Sequence, residues 1–235
     1  MSALAALEID ERDRDAALVA LPRAEVHLVM RAGPMCATGL DIHVFGARHE
    51  VRRKVLRAGQ RTVMARLRLE ATEPVLGVSA SAIAGRILPL DELWGAAATR
   101  PLLDQLVAAH TGTEAAAILE RAITERFVAT PRSLAIAAAE KLATTRITDV
   151  ADELGVSERH LRRVFREATG VSPKAFARLA RFHRAIAVAR AGRHASWASI
   201  AVATGYYDQA HLIDEFRAIA GATPRALLGE LVTVS

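Results

Sequence analysis

The chain has 235 residues, half of them apolar (51%) and about a quarter charged (24%), which allows two modest folded domains and excludes a disordered tail. One cysteine, Cys36, excludes an internal disulfide and suits a reducing compartment. No apolar run approaches the ~18 residues of a membrane helix, and the start lacks a basic-then-apolar leader, so the expectation is a cytoplasmic protein with no membrane partner.

In chain order, residues 1–20 are Ala-rich and then strongly charged (Glu8 to Asp15), which predicts a flexible leader, frayed or weakly helical. From Pro22 the texture is β-rich. Residues 25–30, 41–45 and 62–70 read as strands, the last alternating Val63, Ala65, Leu67 and Leu69 with Arg66 and Arg68. Gly33-Pro34, Gly39, Gly46 and Gly59 punctuate them, giving a small antiparallel sheet or barrel of four to six strands. After Glu73-Pro74 the pattern is helical: 90–94, 101–108 and 113–127, with Thr113 as N-cap. Pro131 is placed at the first position of the next helix, where its missing N–H costs nothing, and a domain boundary is expected there.

The second half is more informative. Ile147, Val150, Ala151 and Leu154 form the stripe of a short helix, Gly155 ends it, and Ser157 is placed to cap the next. In that next helix Leu161, Val164, Phe165 and Ala168 form one stripe and Arg159, Arg162, Arg163 and Arg166 another. Each arginine precedes a stripe residue by two, which at ~100° per residue puts it roughly 160° round the helix. The pattern recurs: Trp197, Ile200, Ala201, Thr204 and Gly205 repeat the first helix and turn at an offset of 50. After the turn the offset is 51, from Ser157 to Asp208, Leu161 to Leu212, Phe165 to Phe216, Gly170 to Gly221 and Pro173 to Pro224. One extra residue in the second turn (Tyr206-Tyr207 against Val156) accounts for the change. Two helix-turn-helix units follow, over 147–168 and 196–220, joined by a long helix over 173–190. Its 18 residues span ~27 Å, against the ~34 Å between successive major-groove faces of B-DNA.

Charge follows the same division. Residues 1–130 hold 16 Lys+Arg and 16 Asp+Glu, while 131–235 hold 15 and 10, so the whole net +5 lies in the second half. Within it, 131–193 carries 13 basic and 6 acidic residues, and 194–235 carries 2 and 4. A basic block on a repeated helix-turn-helix is the footprint of a phosphate-binding surface.

The run Ala201-x3-Gly205-Tyr206-x-Asp208-x2-His211-Leu212-x3-Phe216-x4-Gly221-x-Thr223-Pro224 resembles the signature of AraC/XylS-type transcriptional regulators, and the resemblance covers about residues 131–229. A looser likeness, from Pro74 to Gly95 with Leu88-Pro-Leu-x2-Leu-Trp94, points to the sensor-type N-terminal domain of some such regulators. The fold class expected is therefore α+β in two domains. Residues 21–130 form a β-rich regulatory domain ending in helices, and 131–235 form an all-α double helix-turn-helix domain. The resemblance implies promoter DNA as partner, RNA polymerase as a second, a small-molecule effector at the N-terminal domain, activation of transcription, and no need to dimerise, although a homodimer is allowed.

The DNA-contact set is Ser157, Arg159, His160, Arg162, Arg163, Arg166, Lys174, Gln209, Ala210, Ile213, Asp214 and Arg217. Arg159 and Arg163 match positions from which the family reaches base edges, and an arginine bonding guanine O6 and N7 discriminates by ~1–3 kcal/mol. Arg162 and Arg166 sit at the edges of the ridge and suit phosphate equally well. His160 touches the backbone or simply lies on the surface. In the second unit the ridge becomes Ala210, Ile213, Asp214 and Arg217: Ala210 and Ile213 can pack on thymine methyls and Asp214 can accept from a cytosine amino group. The plainer reading is that this unit adds shape and phosphate contacts from Gln209 and Arg217. Glu215 falls where its counterpart Val164 is apolar, and is expected to lean to the rim or to meet Arg184.

No catalytic, metal or cofactor site is expected. Of His27, His43, His49 and His110, His43 and His49 have no acidic or cysteine partner at ligand spacing apart from Glu50, and all four read as structural or surface histidines. Cys36 has no patterned His beside it and reads as a small apolar residue. The competing readings are a DNA-targeted enzyme or repair protein with Cys36 as its nucleophile, and a protein-interaction module built on the β-rich half.

Overall fold

The structure is a computed structural model that describes residues 2–128, 133–192 and 196–233. An antiparallel sheet region comes first and an all-helical region follows, the α+β class anticipated above. Among the described residues, seven strands form two sheets. The larger has the order β1 (Leu4–Glu11), β6 (Arg61–Leu67), β3 (His27–Ala32), β4 (Leu40–Phe45), β7 (Ile87–Pro89); the smaller pairs β2 (Ala16–Ala20) with β5 (Arg52–Leu56).

The expected leader is thus corrected: residues 4–11 pair with β6 from Glu11↔Arg61 to Leu4↔Leu67, and 16–20 pair with β5. Its charges do not prevent pairing because most stay exposed, Glu8 among them, while Glu11 meets Arg61 at 2.5 Å and Asp15 meets Arg57 at 2.6 Å. One face of the larger sheet carries Leu28, Met30, Leu40, Ile42, Val44, Val63, Ala65 and Leu67, all buried, as period-two alternation requires. Helices cover that face: α1 (Thr72–Leu76), α2 (Leu90–Trp94), α3 (Ala96–Val107) and α4 (Gly112–Arg126). The cap of α4 is Thr111, whose hydroxyl accepts from Glu114 N at 3.1 Å, and not Thr113. A 3-10 turn at Ala80–Ile83 buries Ala80 and Ile83.

The helical region contains α5 (Leu134–Leu142), α6 (Ile147–Glu153), α7 (Glu158–Thr169), α8 (Pro173–Arg190), α9 (Trp197–Thr204), α10 (Gln209–Ala220) and α11 (Pro224–Thr233). Pro131 lies outside the described residues; α5 is capped by Ser133, whose side chain accepts from Ile136 N. Two cores form, one per unit. The first gathers Leu142, Val150, Leu161, Phe165 and Leu179; the second gathers Phe182, Ile200, Leu212, Phe216 and Leu227. The long α8 feeds both, with Leu179 in one and Phe182 in the other.

The N-terminal region also enters both cores. Ala24 and Ala47 belong to the first, while Val19, Leu21 and Val51 pack on the second. Val51 N donates to Ile219 O at 2.9 Å, Arg53 binds Glu230 at 2.7 Å and donates to Ala220 O, and His183 of α8 lies 2.6 Å from Pro22 O. The 3-10 turn Ala80–Ile83 packs on α7.

Candidate nucleic-acid interface

In the first unit, the turn between α6 and α7 depends on Gly155, whose φ of +67° an L side chain rarely adopts. Ser157 then caps α7, its hydroxyl accepting from His160 N at 3.2 Å. Leu161, Phe165 and Thr169 are buried, Val164 and Ala168 half-buried, and Phe165 meets Phe176 edge-on at 5.3 Å. Arg159, His160, Arg162, Arg163 and Arg166 are all exposed. The four arginines line one open hollow with Ser172 and Pro173 at the start of α8. Two of them are held along the helix: Arg162 Nε donates to Glu158 at 2.7 Å, and Arg163 Nη1 to Glu167 at 3.2 Å with His160 Nδ1 3.3 Å from Nη2. Exposed pairs of this spacing are worth ~0.3–0.5 kcal/mol, so they orient the guanidinium groups and yield readily to a stronger anion. Lys174 is also exposed but lines a second hollow, between the units, with Arg146, Arg162, Arg181 and Arg184.

The second unit has the same scaffold and a different surface. Gly205 makes the turn at φ +85°, and Asp208 Oδ1 accepts from His211 N at 2.8 Å to cap α10. Leu212 and Phe216 are buried. Gln209, Ala210, Asp214 and Arg217 are exposed and Ile213 half-buried; Asp214 and Arg217 pair at 3.6 Å.

Glu215 does not meet Arg184. Its side chain, 14% exposed, sits 3.3 Å from both Arg178 Nε and Arg181 Nη2, and 3.9 Å from His211 Nε2. Arg184 lies farther along α8, where it donates to Ala143 O at 3.0 Å and Thr204 O at 3.5 Å. Those carbonyls end α5 and α9 and lack helical partners, so a cation there satisfies both. Arg181 also covers the ring of Tyr206 at 5.2 Å. Burial, with Glu215 nearby, pushes the Tyr206 hydroxyl up to about 12.

Three residues escaped the sequence reading. Arg146 and Arg181 join Lys174 in the hollow between the units, and the three-residue spacing of Arg178, Arg181 and Arg184 along α8 was the available signal. Tyr207, the inserted residue of the second turn, is 89% exposed beside the α10 cap.

Cys36 is buried, its thiol donates to Arg31 O at 3.4 Å, and burial followed by the Asp41 carboxylate raises its pKa, the environment of an inert thiol. His43 does have an acidic neighbour: Asp41, two residues earlier on the same face of β4, lies 3.1 Å away and also binds Arg31 at 2.9 Å. His49 and His110 are exposed, and no cluster of three metal-ligating side chains occurs among the described residues. His27 is 5% exposed; burial, then Arg23, Arg48 and Arg66, lower its pKa to about 3.

Among the described residues, no helix is long and apolar enough to cross a membrane. No curated protein matches the chain. Solved structures of ToxT from Vibrio cholerae are similar in overall course. ToxT of strain O395 is 12% identical, with 97% of each chain covered and a TM-score of 0.46. The same protein bound to (E)-4-(8-methylnaphthalen-1-yl)but-3-enoic acid is 12% identical over 96% of this chain and 97% of that one, at 0.48. Wild-type ToxT of strain SCE256 with bound unsaturated fatty acid is 10% identical over 95% and 94%, at 0.45. Likeness this loose carries no argument about the present chain. The family model described as "Helix-turn-helix domain" matches residues 150–229, which span α7 to α10 and with them both turns. A helix-turn-helix domain therefore occupies residues 150–229.

Proposed function

We propose that the protein activates transcription by laying α7 and α10 in successive major-groove segments of promoter DNA, through residues 131–235. The observation that carries the reading is the set of four exposed arginines on α7, opposite a face buried around Phe165. Arg159 and Arg163 read base edges, while Arg162, Arg166 and Lys174 bind phosphate. Ser157 caps α7 at its entry to the groove, and His160 steadies Arg163. In α10, Gln209 and Arg217 bind phosphate, and Ala210, Ile213 and Asp214 add shape more than sequence reading. Activation and contact with RNA polymerase are carried by the family resemblance alone. Residues 21–128 are the regulatory part, with a small-molecule effector as their expected partner.

Selecting bound fragments from a random DNA pool with the full-length protein should yield one preferred site. On that site Arg163→Ala should cost ~1–3 kcal/mol and relax one base pair, whereas Lys174→Ala should weaken all sequences alike. An unchanged site preference in Arg163→Ala overturns the base-reading assignment.

A further inference from the structure

The hollow lined by the α7 arginines is not made by the helical region alone. Ser81, in the 3-10 turn Ala80–Ile83, forms part of its wall. That turn is seated on the C-terminal end of α7 by a backbone approach. A Cβ placed on Gly170, the left-handed cap of α7 at φ +75°, would lie 2.8 Å from Ala80 O and 3.2 Å from the Ala84 Cβ. The turn is anchored from its other side in the same way. A Cβ on Gly46, just past β4, would lie 1.8 Å from Ile83 O, and Ala80 and Ile83 are each 2% exposed. With backbone in contact on both sides, the position of Ser81 beside the arginines is set by packing.

The chemistry at Ser81 suits an anion. Its Oγ lies 3.0 Å from Ser79 Oγ, and each hydroxyl owns one proton. One hydroxyl donates to the other, so the pair retains one O–H to donate outward. Arg159, Arg162, Arg163 and Arg166 supply positive charge to the same hollow, against the single carboxylate of Glu167, which is already paired with Arg163. A phosphodiester bordering the groove occupied by α7 is the polyanionic group that complements this wall.

We propose that the DNA surface of the first unit is composite: the Ala80–Ile83 turn of the N-terminal region forms one wall of it, and Ser81 donates to a backbone phosphate. This rests on the DNA-binding reading above and extends the contact surface beyond residues 131–235. It also places a segment of the regulatory region where any displacement alters the hold on DNA.

Full-length Ser81→Ala, Ser81→Thr and Ser81→Asp are compared with the parent chain by titrating the selected site and an unrelated duplex. Loss of one hydrogen bond to an anionic phosphate should weaken Ser81→Ala about tenfold on both duplexes. Ser81→Thr, which keeps the hydroxyl, should restore binding, and Ser81→Asp should lose more than about tenfold through repulsion by phosphate. Melting curves check that all three remain folded. Unchanged binding in Ser81→Ala and Ser81→Asp overturns the proposal, as does tighter binding in Ser81→Ala, which would make the turn an obstruction. If Arg163→Ala is also without effect, the DNA-binding reading has failed; if Arg163→Ala weakens binding and the Ser81 variants do not, only the composite surface has.

Discussion

The two helix-turn-helix units share helix order, cap positions and a central phenylalanine, yet they direct their charges differently. In the first, four arginines stand outward on α7, two of them tied to neighbouring side chains along the same helix. In the second, α10 offers one arginine outward, paired with Asp214, and turns Glu215 inward to Arg178 and Arg181 of α8. One scaffold thus serves two ends. Surface pairs that cost little to break leave a helix ready for a polyanion, whereas a half-buried network fixes a helix against its support.

The shared part gives the largest expected effects. Phe165 and Phe216 are each 0% exposed at the centre of a small core. Phe165→Ala and Phe216→Ala should each cost ~3–5 kcal/mol and unfold their own unit, which circular dichroism melts would register. An unchanged melting curve for either would contradict the core assignment.

The junction of α8 with the sheet region should respond to acid pH. The folded-state pKa of His27 is lowered to about 3 and that of His183 is lowered as well, both chiefly by burial. Below about 6.5 the unfolded chain takes up protons that the folded chain refuses, so their stabilisation is complete above that pH and declines as pH falls towards the folded values. Chemical denaturation between pH 7.5 and about 4.5 should show falling stability, and His27→Gln should flatten the slope. An identical slope in that variant removes His27 from the account.

The contrast between the units is sharpest at their glutamates. Glu215→Gln should destabilise by about 1–3 kcal/mol, because two cations lose a shared and largely buried partner. Glu167→Gln, at an exposed pair, should change stability by less than about 0.5 kcal/mol. Equal effects would erase the distinction. The smallest change is expected at Asp214: Asp214→Ala should leave affinity for the selected site within about threefold of the parent. A large loss of specificity there would make α10 a reader of bases.

Much of this was legible along the chain. The stripe of Leu161 and Phe165 and the ridge of Arg159, Arg162, Arg163 and Arg166 follow from helical period alone, and the period-two run in β6 exposes its buried face the same way. The strand at residues 4–11 is not legible locally, because Ala-rich composition and alternating charge say nothing about a partner strand 50 residues away, where Arg61 receives Glu11. Thr111 displaced Thr113 as cap because Gly112, closely packed against Ile9 and Glu11, already belongs to the helix. Asp41 was a legible partner of His43, since a strand over 41–45 puts residues two apart on one face.

What the sequence determined by itself is the repeated unit, its buried stripe and its arginine ridge, since these depend on spacing within one helix. Tertiary structure alone decided which cation Glu215 meets, that Arg184 ties the ends of α5 and α9, and that a turn of the sheet region stands beside the ridge. The reason is physical: periodicity records which side of a helix faces inward, but not which neighbour waits there.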